Sequence, residues 1–203
     1  ETSMCSIRQE ECADLSEQNI ATTSEINDFH LRKDIQVLKL DKNKITTIDN
    51  TISQFKSLRF LNMSCNKIEG IQNLSVLSNL VLLDLSRNKI PKLENLENNA
   101  NLKRLLISRN IIKSISLKEP LAKLVLLDIH KNPLTKANFG KYFPNLSKLY
   151  IYECLLSSLK GISTFPNLKQ LKCQKNKIND STSVILSHDK VEEIDISSNK
   201  MTT

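Results

Sequence analysis

The residues of this chain best able to make or break bonds are its three histidines and five cysteines. Histidine can serve near neutral pH as a base or a metal ligand. A thiolate can serve as a nucleophile or a metal ligand. Their spacing supports neither use. His30, His130 and His188 lie far apart, with no nucleophile motif, no Gly-rich phosphate loop and no paired carboxylates at fixed spacing beside them. Cys5, Cys12, Cys65, Cys154 and Cys173 form no C-x-x-C pair and no Cys/His cluster of metal-ligand spacing. The expectation is therefore no enzyme, no metal and no cofactor, and a chain that acts by binding.

What would position binding residues is a repeat. Eight segments share the pattern Leu-x-x-Leu-x-Leu-x-x-Asn-x-Ile, and their first apolar positions are 23, 22, 22, 22, 22, 22 and 23 residues apart. Clear copies are Leu58, Leu61, Met63, Asn66, Ile68, then Leu80, Leu83, Leu85, Asn88, Ile90, then Leu102, Leu105, Ile107, Asn110, Ile112. The array opens at Ile35 and continues through Leu124, Leu146, Leu168 and Val191. A fixed period of this length signals stacked supersecondary units, none of which can bury its apolar face alone.

Each position has a physical role. Apolar residues two apart, such as Leu83 and Leu85, share one face of a short strand, and the residues between them face the other way. The Asn that follows can turn inward and bond backbone groups of neighbouring turns that would otherwise be buried without partners. Cys154 stands at the Asn position of one copy, and as a weak donor it predicts a looser rung. The second half of each unit carries apolar residues three apart, as in Ile68, Ile71, Leu74, Leu77 and Leu80, which suits 3₁₀ or short helical turns on the opposite side.

This pattern resembles the leucine-rich-repeat superfamily over about residues 35–203. Its 22-residue length, with the Ile-x-x-Ile/Leu-x-x-Leu second half, is similar to the internalin-type and phosphatase-regulatory repeats. The resemblance implies an α/β repeat protein, a right-handed horseshoe-shaped solenoid with a parallel β-sheet on its concave face and short 3₁₀, helical or irregular convex segments. Residues 1–34 then form an N-terminal cap with a degenerate first repeat (Ala13, Leu15, Gln18, Ile20), and residues 35–203 form eight repeats, the last incomplete. The Cys5 and Cys12 stretch resembles the cysteine-bearing cap of extracellular members such as the Toll-like receptors. A Cys5–Cys12 disulfide would brace a cap too small to hold itself together and would imply an oxidising compartment. The other reading is two free thiols in a frayed terminus.

Composition narrows the remaining classes. No run of about 18 apolar residues exists, so no membrane span is expected within this chain. The net charge is +7. Basic residues recur just after the strands at Lys42, Arg87, Arg109, Lys131 and Lys175, but Asp41, Asp84, Asp128 and Glu153 interrupt them, and no Trp offers a base-stacking platform. A solvated rim is expected, and no nucleic-acid partner. Asn-x-Ser sequons at Asn62, Asn73, Asn145 and Asn179 match what chance gives in an Asn- and Ser-rich chain, so they do not argue for secretion. Cys154 and Cys173 fall on inward positions and read as buried thiols, whereas Cys65, just past a strand, reads as more exposed.

The outward strand positions form three columns, whose members stand about 4.8 Å apart per repeat. Val37, Phe60, Leu82, Arg104 and Leu126 lead the first, Leu106, Asp128 and Tyr150 lie in the second, and His130 and Tyr152 in the third. An apolar stripe on a strand face asks for a cover. These ten residues are the candidate binding site, and the partner is a protein on the concave face. Two classes stay open: a secreted or cell-surface recognition ectodomain of innate-immune or host–pathogen type, and an intracellular scaffold or regulatory subunit. The chain stops after the strand and Asn of its eighth repeat, so the expectation is a fragment that frays at its C-terminal end or self-associates there.

Overall fold

The structure is a computed structural model that describes residues 8–29, 31–179 and 190–200. Cys5, His30, His188 and Met201, all named above, lie outside the described residues. Nine short strands form one parallel sheet: β1 (Cys12–Asp14), β2 (Val37–Lys39), β3 (Phe60–Asn62), β4 (Leu82–Asp84), β6 (Arg104–Leu106), β8 (Leu126–Asp128), β9 (Lys148–Tyr150), β10 (Gln170–Lys172) and β11 (Glu193–Asp195). Two smaller strands, β5 (Lys92–Leu93) and β7 (Ser114–Ile115), pair with each other outside that sheet. The register follows the repeat: Leu38 pairs with Leu61, Leu61 with Leu83, Leu83 with Leu105, and so on to Ile194. The degenerate first repeat is a full member of the stack, because Ala13 pairs with Leu38.

Apart from β5 and β7, the rest of each turn is 3₁₀ or irregular, with no α-helix among the described residues. The 3₁₀ segments Thr23–Phe29, Asn50–Gln54, Gly140–Tyr142 and Lys160–Thr164 occupy turns near the two ends, and the middle turns close without them. Nothing among the described residues is a helix long and apolar enough to cross a membrane. Inward side chains of all turns join in a single core cluster, filled out by Phe55, Phe143 and Phe165 on the non-sheet side. On that side two turns approach closely at Gly140, where a Cβ would lie 2.0 Å from the Thr164 carbonyl oxygen and the Gly140 N–H instead donates to Thr164 Oγ1 at 3.1 Å. Any larger residue there would collide with backbone.

The asparagines form the expected ladder. Asn88 Nδ2 donates to the Leu85 carbonyl of its own turn and to the Met63 carbonyl of the preceding one, both at 3.0 Å, while its Oδ1 accepts the Ile68 N–H at 2.9 Å. The arrangement recurs at Asn43, Asn66, Asn110, Asn132, Asn176 and Asn199. Each rung ties together peptide groups that the turn removes from water, which is why an otherwise apolar repeat tolerates a buried amide. To reach the rung, the residue just before it adopts left-handed backbone. Lys42, Cys65, Arg87, Arg109, Lys131, Glu153, Lys175 and Ser198 all have φ between 50° and 57°, and none is glycine. The basic rim foreseen from the sequence is therefore the row of turn residues.

A second row of asparagines, not foreseen, runs along the edge where the strands begin. Asn79, Asn101, Asn145 and Asn167 each donate to a carbonyl of the preceding turn, at 2.9–3.0 Å. Lys123 and Lys190 take the same place in two repeats and reach back to Asn101 and Asn167. Two sequon asparagines are engaged in this way, Asn145 with Ala122 and Asn73 with the Ile48 carbonyl at 2.7 Å. A third, Asn62, donates to Asp41 at 2.9 Å on the concave face.

Candidate binding surface

The outward strand residues fall into two centres on the concave face. In the first, Val37, Phe60, Leu82 and Leu106, with Lys39, Asn62 and Asp84, line a shallow, mostly apolar cavity of about 240 Å³. Exposure differs from expectation. Val37 is 3% and Phe60 7% exposed, so these two are largely covered by their neighbours instead of standing free on the face. Phe60 stands between Val37 and Leu82 in the strand register, and a large ring held between two apolar neighbours loses most of its water. The Arg59 guanidinium, 5.9 Å from the Phe60 ring centroid, lies beside it. Leu82, Leu106 and Leu126 are half-buried, and Arg104, between Leu82 and Leu126 in the register, is exposed. The large apolar side chains that are truly exposed, Val76, Ile111, Val125 and Leu155, belong to none of the three columns.

Asp84, like Lys39 and Asn62, lines this centre without being among the ten candidate residues. Its Oδ1 accepts the Ser86 N–H at 2.8 Å, and burial, reinforced by the negative charges of Asp128 and Asp41, pushes its carboxyl above the ordinary value. The signal available was its place in the same column as Leu106 and Asn62.

The second centre gathers four more of the predicted residues, Asp128, His130, Tyr150 and Tyr152. His130 Nδ1 lies 2.6 Å from Asp128 Oδ1, and its ring stacks on Tyr152 with centroids 4.1 Å apart. Although it occupies an outward position, His130 is only 8% exposed. Burial, then the charges of Asp128 and Glu153, raise the Tyr152 phenol above its ordinary pKa. Tyr150 donates to Gln170 Oε1 at 2.9 Å and has Lys172 Nζ 5.2 Å from its ring centroid. Nearby Glu153 sits between Lys131 at 3.0 Å and Lys175 at 3.9 Å, and the bond from Lys131 holds its carboxyl low. Arg104 and Leu126 do not line the apolar cavity. Among the described residues no group of three or more His, Cys, Asp or Glu gathers to hold a metal. Cys12 is exposed and in no disulfide among the described residues.

Comparison with known proteins agrees with this geometry. A family model described as leucine-rich repeats (2 copies) matches residues 33–76. An internalin, InlF, of Listeria monocytogenes superposes with a TM-score of 0.79 at 21% identity, covering 95% of this chain and 56% of that one. The fold is a leucine-rich-repeat solenoid. Internalin C2 of Listeria monocytogenes superposes with a TM-score of 0.71 at 19% identity, covering 92% and 80%. The leucine-rich-repeat domain of APL1B gives 0.70 at 18%, covering 85% and 50%. This chain thus spans about half the length of InlF and of the APL1B domain. No curated protein matches it in sequence. Leucine-rich-repeat solenoids are protein-binding modules as a class, because stacked turns offer an extended surface whose outward residues are free of core duty.

Proposed function

We propose that this solenoid is a protein-recognition module that holds its partner on the concave face, as part of the ectodomain of a secreted or cell-surface protein engaged in innate-immune or host–pathogen recognition. The observation that carries the reading is the pairing, on one sheet face, of an apolar cavity at Val37, Phe60, Leu82 and Leu106 with the stacked rings of His130 and Tyr152 and the neighbouring Tyr150. Half-buried apolar and tyrosine side chains beside fixed polar groups are the anchors from which protein interfaces draw most of their energy. The extracellular context is supported by the cap-like Cys5 and Cys12 stretch. A second reading, an intracellular scaffold or regulatory subunit, is supported by the exposed Cys12 thiol.

Two measurements test these readings. The native chain and a Leu82→Ser/Tyr150→Ala double variant are immobilised in parallel and offered the same pool of secreted proteins. A partner retained by the native chain and lost by the variant supports the concave site, and equal retention places the site elsewhere. Counting free thiols in the denatured protein separates the compartments. Three thiols mean a paired Cys5 and Cys12, and five mean the intracellular reading.

A further inference from the structure

Asp84 lies in the wall of the apolar concave cavity, between Asn62 and Leu106 in the strand register. It forms no ion pair with any Lys or Arg among the described residues. Lys39, the cation that also lines the cavity, is already bridged to Asp14 at 2.9 Å. Arg104, on the next strand, is exposed and lines no part of the cavity. The negative sign extends along the same face, with Asp41 and Asp128 close enough to act on Asp84. A carboxylate in apolar surroundings without an opposite charge is costly to ionise, and a cation brought by a partner would offset that cost.

Volume decides what kind of partner this is. At about 240 Å³ the cavity is smaller than the roughly 300–1,000 Å³ of sites that enclose a small ligand. Its mostly apolar lining suits side chains laid across an open sheet face. We infer that the cavity receives an extended polypeptide segment of the partner bearing an arginine or lysine flanked by apolar residues, the cation against Asp84 and the apolar side chains against Val37, Phe60, Leu82 and Leu106. This rests on the concave face being the protein-binding surface and adds the chemistry of what binds there.

The test is fluorescence anisotropy of the full chain with labelled, capped nine-residue peptides of Ser and Thr around a central Leu-Arg-Leu, the arginine being replaced in turn by lysine, citrulline and glutamate. The arginine and lysine peptides are expected to bind at least about tenfold more tightly than the glutamate peptide, with citrulline between. In Asp84→Asn, whose amide oxygen can still accept the Ser86 N–H, that ranking should flatten without a change in melting midpoint. Equal binding of the glutamate peptide, or an unchanged ranking in Asp84→Asn, overturns the inference. Equal binding of citrulline and arginine peptides, both weakened by Leu82→Ser, also overturns it while leaving the concave site standing. Absence of binding by every peptide up to millimolar concentration overturns it too, and the partner-retention experiment then judges the concave site by itself.

Discussion

The Cys154 thiol stands 3.8 Å from the Ile129 carbonyl, in the place where the asparagine amides of the other turns reach the preceding turn at 2.8–3.1 Å. It also lacks an oxygen to accept the Leu134 N–H, which bonds instead to the Asn132 carbonyl at 2.8 Å. Burial pushes this thiol up to about 11, which marks how dry the rung is. Cys154→Asn should therefore complete the ladder and stabilise the chain by about 1 kcal/mol, whereas Asn110→Leu should cost roughly 1–3 kcal/mol for each buried peptide group it strands. Urea unfolding midpoints measure both. If neither moves, the ladder does not hold the turns together.

Gly140 makes a second expectation. Its missing Cβ is where the Thr164 carbonyl lies, so Gly140→Ala must push two turns apart and should lower stability by roughly 1–3 kcal/mol. Gly70 has open space around it, and Gly70→Ala is the matched control. Equal midpoints for the two variants would contradict the close approach.

The buried thiols give an alkaline signature. Burial pushes Cys173 up to about 12 and Cys154 to about 11, both above the ordinary thiol value near 9. The folded state thus holds these protons more tightly than the unfolded state. Their contribution is whole below about pH 9 and is lost as pH rises toward 11 and 12, so stability should fall with pH in that window. At pH 8, alkylation mapped by mass spectrometry should mark Cys65 quickly and spare Cys154 and Cys173 until urea unfolds the chain. Early labelling of Cys173 would be incompatible with its burial.

The concave residues should separate stability from binding unequally. Phe60→Ser removes a ring that is 7% exposed and should cost roughly 2–4 kcal/mol. Leu82→Ser, at a half-buried position, should cost about 1 kcal/mol and leave the solenoid folded. Leu82 is consequently the cleaner probe of partner binding. Matching losses would mean that the two side chains share one environment.

Much of this molecule was readable in its sequence because a 22-residue period converts position directly into burial. Leu83, Leu105 and Asn88 lie where the repeat puts them, and so does the weak rung at Cys154. What escaped depends on contacts between turns, which no single repeat encodes. Val37, Phe60 and His130 alternate outward as expected, yet their neighbours cover them. The Asn79, Asn101, Asn145 and Asn167 row looks like ordinary polar surface until neighbouring turns supply its carbonyl partners. Asp84 carries no motif, and its isolation from cations appears only when Lys39 is found bridged to Asp14.

Each strand of the large sheet bonds only to the strands before and after it, so the molecule is held as a one-dimensional stack. Drawn apart between β1 and β11, it would behave as a coil spring that yields link by link instead of a knot that gives way at once. Each 22-residue turn that leaves the stack adds about 75 Å of slack chain. Among the rungs of the ladder, the one at Cys154 should loosen before the complete asparagine rungs.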